Sequence, residues 1–158
     1  MARIQVRKFQ LFFVDGTEVV PILCAKDITL GDDTEEDIDV TCLDDEEDNF
    51  DPGKMTPGEG SIGTDLDDEN ESHLKMLELS KTKPRKKVMF YMGSGHSDDP
   101  PTVAQGGAVS LPQTRNWWAW EAYLKAPART FEKAQLVGYN YPMKRTSSVN
   151  ETFRTISP

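Results

Sequence analysis

Asp68-Glu-Asn-Glu-Ser-His-Leu-Lys-Met-Leu-Glu-Leu-Ser-Lys81 is the one stretch of this chain that reads clearly as a helix. Leu74, Met76, Leu77 and Leu79 recur at helical separations among straight-chain helix formers, with no Gly or Pro between them. Asp68 and Glu71 make a capping-box pattern, and Asp67, Asp68 and Glu69 suit the positive end of the helix dipole. Lys81 and Lys83 suit its negative end, and Pro84 stops it. The rest of the chain reads as short strands and loops. A lone helix in such a chain is expected to cover one face of a sheet core.

The charge changes sign at this helix. Residues 27–71 hold 19 acidic residues and one basic, Lys54, although the whole 158-residue chain is only −9. The rest is therefore net basic. An acidic block is ordinarily a solvated loop, and it argues against a broadly basic DNA-binding surface. Cys24 and Cys42 lack metal-type spacing and no leader is read before them, so both are expected to be reduced and half-buried in a cytoplasmically made protein. No apolar run has the length of a membrane span, and the expectation is a soluble single domain over residues 1–158.

Strand signals surround the helix. Ile4 to Leu23 reads as a hairpin turning at Asp15-Gly16, with a phase shift ahead of Phe9, Leu11 and Phe13 that implies a bend. Ile38, Val40 and Cys42 alternate with Asp37, Asp39 and Thr41, which predicts an apolar side on the core and a carboxylate side in water. Ile62, Thr64 and Leu66 repeat the pattern against Asp65 and Asp67. Between these strands, 44–60 reads as a long acidic loop insertion with Asp44, Asp45, Glu46, Glu47 and Asp48 and two bulky anchors, Phe50 and Met55. Lys86 to Met92 is apolar on both faces and expected to be central. Trp117 to Lys125 and Leu136 to Met143 follow as strands, with Phe131 to Gln135 readable as a helical turn or a strand start. Lys144 to Arg154 is strand-prone and short of apolar residues, so it needs a partner.

Nothing reads as an active site, cofactor site or metal centre. Asp65 to Asn70 lacks the glycine and the terminal acid of a calcium loop. Gly93-Ser-Gly95 leads to Pro100-Pro101 and not to a helix, so it is no phosphate loop. His73 reads as packed or exposed and not catalytic, and the three tryptophans as core or interface residues. The expected fold is mainly β with one helix (α+β): an antiparallel, sandwich- or barrel-like subunit with a long acidic loop and under-filled edges that suggest self-assembly.

The order of these pieces resembles the tail tube proteins of long-tailed bacteriophages. It is carried by the Phe-rich hairpin, the acidic insertion and Ser72-His-Leu-Lys-Met-Leu-Glu-Leu-Ser80. Lys87-Val-Met-Phe-Tyr-Met-Gly93, Phe131-Glu-Lys and Tyr141-Pro-Met-Lys-Arg-Thr-Ser-Ser-Val149 continue it. The resemblance implies a non-enzymatic virion protein, made in the host cytoplasm, whose six-subunit rings stack into a tube. Double-stranded DNA passes through the channel without specific binding and a tape-measure protein fills it during assembly. Tail terminator and distal tail proteins meet the ends. Tubes of contractile tails share the fold; a siphophage tail is the expected type, and no sheath-binding motif separates the two. On this reading Asp37, Asp39, Asp65 and Asp67 are candidates to line the channel, since carboxylates repel the duplex. The acidic loop would meet a neighbouring ring through a basic surface of Lys81, Lys83, Arg85, Lys86, Lys87, Lys144, Arg145 and Arg154. The alternative is an acidic DNA mimic, which would need its carboxylates ordered on one convex face; a small hydrolase with an unseen site is a further rival.

Overall fold

A computed structural model describes residues 3–156. In chain order the elements are β1 (Gln10–Asp15), β2 (Glu18–Ile22), β3 (Ala25–Thr29), β4 (Thr34–Asp39), β5 (Phe50–Thr56) and β6 (Glu59–Asp65). Then come α1 (Glu71–Lys81), β7 (Val88–Gly93), β8 (Thr102–Val103), β9 (Val109–Ser110), β10 (Trp117–Leu124), β11 (Ala128–Thr130), β12 (Gly138–Arg145) and β13 (Asn150–Thr152). Nine strands join in one antiparallel sheet of order β2-β1-β7-β10-β12-β6-β3, with β11 on β12 and β13 on β10. β4–β5 and β8–β9 are separate two-stranded ribbons.

The sheet divides at β10. Its first half, Trp117 to Ala119, pairs with β13, while Ala122 to Leu124 pairs with the end of β12. β12 in turn gives its first residues to β11 and its whole opposite edge to β6. Two layers result, β2-β1-β7-β10-β13 and β3-β6-β12-β11, joined where β10 and β12 touch. The terminal segment, which needs a partner, finds one in its own chain, on the half-edge of β10 that β12 leaves free.

The core follows from the alternation. Leu11 and Phe13 of β1, Phe90 of β7, and Trp120, Ala122 and Leu124 of β10 face Ile62 of β6 and Tyr141 and Met143 of β12. Phe90 stacks on Trp120 at 5.9 Å. The opposite register of β1, β7 and β10 puts Phe12, Val14, Tyr91, Trp117 and Ala119 on the other side, where Val103, Val109 and Leu111 from the β8–β9 region cover them. That is why β7 reads apolar on both faces.

α1 supplies Met76 and Leu79 to the core. Its N-cap is Asn70, whose side chain accepts from the Ser72 amide, and not Asp68 as the capping-box pattern suggests. Asp68 lies in the preceding turn, where the Asp67 carboxylate takes the Glu69 amide. His73 is buried: Nε2 donates to the Leu23 carbonyl at 2.7 Å and Nδ1 accepts from the Asp67 amide at 3.1 Å. With the Leu23 amide on Ser72 Oγ, this ties the helix start to the β2–β3 corner.

Other expectations are corrected. Ile38 and Val40 do not reach the core; every residue of β4 is exposed, because its ribbon has no layer beneath it. Cys24 and Cys42 are both exposed. The 44–60 stretch is not a continuous loop, since 50–56 form β5 and 59–65 form β6. Residues 131–135 form a turn, neither helix nor strand.

Removing the stacked ring with Phe90→Ala should lower the unfolding free energy by about 3–5 kcal/mol, read from denaturant titration. A loss below about 1 kcal/mol would mean that this layer of the core is not closely packed.

Candidate assembly site: the acidic arm and its root

The β3–β6 ladder ends at Thr29–Ser61, and the chain between them continues as an arm, residues 30–58, built on β4–β5. The root is tight. A Cβ on Gly31 would sit 2.0 Å from the Glu59 carbonyl oxygen, and one on Gly60 would sit 2.0 Å from that of Thr29, so only glycine admits this approach.

Arg145 locks the root. Tyr141, Met143 and Arg145 point the same way along β12, so the guanidinium enters the protein and is 2 % exposed. Nε donates to the Leu30 carbonyl at 2.7 Å, Nη2 to that of Gly31 at 3.2 Å and Nη1 to that of Ser147 at 3.2 Å. Nη2 also pairs with Asp33 Oδ1, which accepts the Gly58 amide at 3.2 Å. The Arg145 amide reaches the Gly58 carbonyl. Both entering and returning chains are thus held by one buried cation. Arg145, with the Gly58 amide adding, holds the Asp33 carboxyl below the ordinary carboxylate range.

Beyond the root the arm is a twisted ribbon. Its register pairs Glu35 with Met55, Asp37 with Pro52 and Asp39 with Phe50, across an irregularity at Gly53–Lys54. Directly opposed residues share a face. One face therefore carries a row of carboxylates on β4 beside an apolar row on β5, with Phe50 57 % and Met55 52 % exposed. Ile38 lies on the other face. The tip is ordered by its own acids: Asp45 accepts from the Cys42 amide and from Asn49 Nδ2. Hydrogen bonds from Thr41 hold the Asp39 carboxyl below its usual range. Asp44, Glu46, Glu47 and Asp48 are exposed and make no ion pair among the described residues.

The other acids expected beside Asp37 and Asp39 are elsewhere. Asp65 closes the far end of β6, paired with Lys26 at 2.5 Å, and Asp67 lies in the turn before α1. The basic residues are also dispersed. Arg145 is consumed by the root, Lys86 pairs with Asp15, and Arg85 bonds the Ser80 carbonyl at the helix end. Lys144 lies 3.7 Å from Glu59, and Arg154 is half-buried beside Asn116. Lys81, Lys83 and Lys87 remain exposed and unpaired among the described residues. The Arg145–Asp33 pair is what sequence reasoning misses; its signal is the inward phase of Tyr141 and Met143, which Arg145 continues.

The described residues thus form a β-sandwich with one helix and a pinned arm whose apolar row is exposed. Residues 2–155 match the family described as phage tail tube, lambda-like, and the chain belongs to that family. It is thereby a structural protein of the phage tail tube. No curated protein matches it by sequence. In fold it is similar to a chain of the SPP1 tail tube, with TM-score 0.66 and 9 % identity over 96 % of this chain and 80 % of the other. A chain of the sheath–tube complex of the extracellular contractile injection system PVC gives TM-score 0.65 and 11 % identity, covering 96 % and 92 %. A chain of the C6-symmetric tail of an empty GTA particle gives 0.58 and 11 %, covering 90 % and 95 %.

Asp33 fixes the sign of a pH dependence. Its folded value is lowered, so its hold on the root is complete above the ordinary carboxylate range and is lost as pH falls through the folded value. Hydrogen exchange in residues 34–56, corrected for intrinsic rates, should rise below about pH 4, and Asp33→Asn should abolish the dependence. Arg145→Met should destabilise the subunit by about 2 kcal/mol, since it takes the donor from the carbonyls of Leu30, Gly31 and Ser147. Unchanged arm protection in both variants would show that the root is held by other contacts.

Proposed function

We propose that this chain, as one tail-tube domain over residues 1–158, forms six-membered rings that stack into the tube through which double-stranded DNA leaves the virion. Assembly takes place in the host cytoplasm around a tape-measure protein, with terminator and distal tail proteins at the two ends. Family membership supports the tube, and the C6 symmetry of the GTA tail supports the ring number. The observation that carries stacking is the arm: a rooted ribbon with an apolar row that nothing among the described residues covers. Apolar surface held away from a core is characteristic of a contact with another molecule.

The outward face of β3–β6–β12 suits a channel wall. Thr29, Ser61, Gly63 and Asn140 are short and polar, and Asp27 and Asp65 add carboxylates beside them. The cations there sit beside carboxylates: Lys26 pairs with Asp65, and Lys125 and Lys144 share Glu59, so that with Asp27 the face carries as many acids as lysines. Such a wall offers phosphates no net counter-charge and lets the duplex slide. Asp65, with Asp67 beyond the strand end, belongs to this wall, whereas Asp37 and Asp39 belong to the arm.

Negative-stain microscopy of concentrated protein should show rings and tubes, and replacing residues 34–56 with a short Gly-Ser linker should leave a folded subunit that does not stack. A monomer or dimer at every concentration would refute the assembly. Asp27→Lys with Asp65→Lys should leave tubes intact but make them retain duplex DNA at low salt; tubes that still ignore DNA would place the wall elsewhere.

A further inference from the structure

The arm needs a surface to receive it, and four clefts among the described residues are candidates. One, beside α1, is lined by Phe13, Val20 and Leu79 but also by Asp15, Glu18 and Glu78, and its Lys75 and Lys86 are paired with Glu18 and Asp15. A second, at the helix start, contains Glu18 and Glu71. Both would repel an acidic ribbon. The other two are contiguous through Phe9 and contain no acid. The larger is a groove of about 460 Å³ at the β2–β3 corner, floored by Phe9, Leu11, Ile22, Ile28 and Met92 and rimmed by Lys8 and Lys26. The smaller adds Arg3 and Arg7. Lys26 is engaged by Asp65, while Arg3, Arg7 and Lys8 are exposed and make no ion pair among the described residues.

We infer that the arm of one subunit docks on a second copy of this chain by seating Phe50 and Met55 in its β2–β3 corner groove, with Glu35, Asp37 and Asp39 facing Arg3, Arg7 and Lys8. This rests on the proposed stacking and names its acceptor. The two halves match in kind: an apolar row beside a carboxylate row on the arm, and an apolar floor beside a cationic segment at the groove. The groove is lined along β3 by Ala25, Lys26 and Ile28, whereas the arm leaves beyond Thr29, where β3 ends. Donor and acceptor are different surfaces, so each copy gives one arm and receives one, and the contact runs head to tail. Opposite charge guides the approach and register, and the buried aromatic supplies the anchor. The basic surface around Lys81, Lys83 and Lys87 is left outside this contact.

Cys24 lines the acceptor groove and is exposed in the free subunit, which makes it a native reporter. Tubes of Met55→Cys with Cys42→Ser, treated with a mild oxidant, should give a ladder of covalent multimers on a non-reducing gel. Adding Cys24→Ser should remove the ladder. In the unaltered protein, maleimide labelling of Cys24 should slow about tenfold or more between dilute subunits and tubes, as burial of the anchor's groove requires. Phe50→Ala should raise the concentration needed for assembly about tenfold, and added salt should raise it further. Two results would overturn the acceptor while leaving arm-mediated stacking standing. One is tubes in which Cys24 keeps its full reactivity. The other is a ladder that survives Cys24→Ser once Lys83→Cys is combined with Met55→Cys. Absence of tubes from the unaltered protein would overturn the assembly itself.

Discussion

A guanidinium closed off from water sits where the sheet meets the arm, and the placement of everything from residue 30 to residue 58 depends on it. Arg145 is carried by β12, which is fixed by β6 on one edge and by β10 and β11 on the other. Its donors go to Leu30, Gly31, Ser147 and Asp33, so the backbone carbonyls of the root are satisfied by a residue far away in sequence. Burying such a charge is unfavourable unless each donor is matched, and here the matching groups are the root itself. The result is an arm whose direction is set by the core. A ribbon aimed in advance loses less conformational entropy on docking than a free loop of the same length.

The two layers have separate tasks. β2-β1-β7-β10-β13 is covered on both faces, by the central core and by the β8–β9 region. β3-β6-β12-β11 has a core face only, and its outer face keeps short polar side chains beside paired charges. One layer stabilises the subunit; the other leaves a polar wall available. The arm grows from the second layer, so any ring contact made through it also sets where that wall stands.

The parts legible in the sequence are those decided by periodicity within a single element. β1–β2 and β10 follow from apolar alternation, β7 from a run apolar on both faces, and α1 from its helical spacing. Ile38 and Val40 mislead because alternation tells which residues share a face and not whether anything covers it. β5 is hidden by Pro52 and Gly53, which weaken a strand signal and here accompany the irregularity in the ribbon. Arg145 reads as one of the surface cations because charge totals ignore the phase of a strand. The terminal strand is visible, but its partner depends on β10 and β12 parting, which no local pattern announces. The family itself is legible from the order of the pieces, the one property that does not require knowing what each piece touches.

The turn joining β8 to β9 carries two adjacent glycines in the left-handed region. Gly106 and Gly107 have φ of +100° and +89°, and a Cβ at either would meet no atom within 4 Å. The turn closes through the Ala104–Ala108 backbone pair, so its two ends are already adjacent. A foreign peptide spliced between those glycines would enter and leave at one point and disturb neither core. In a helical polymer that point recurs at a fixed rise and rotation, making the turn a natural address for displaying epitopes at regular spacing.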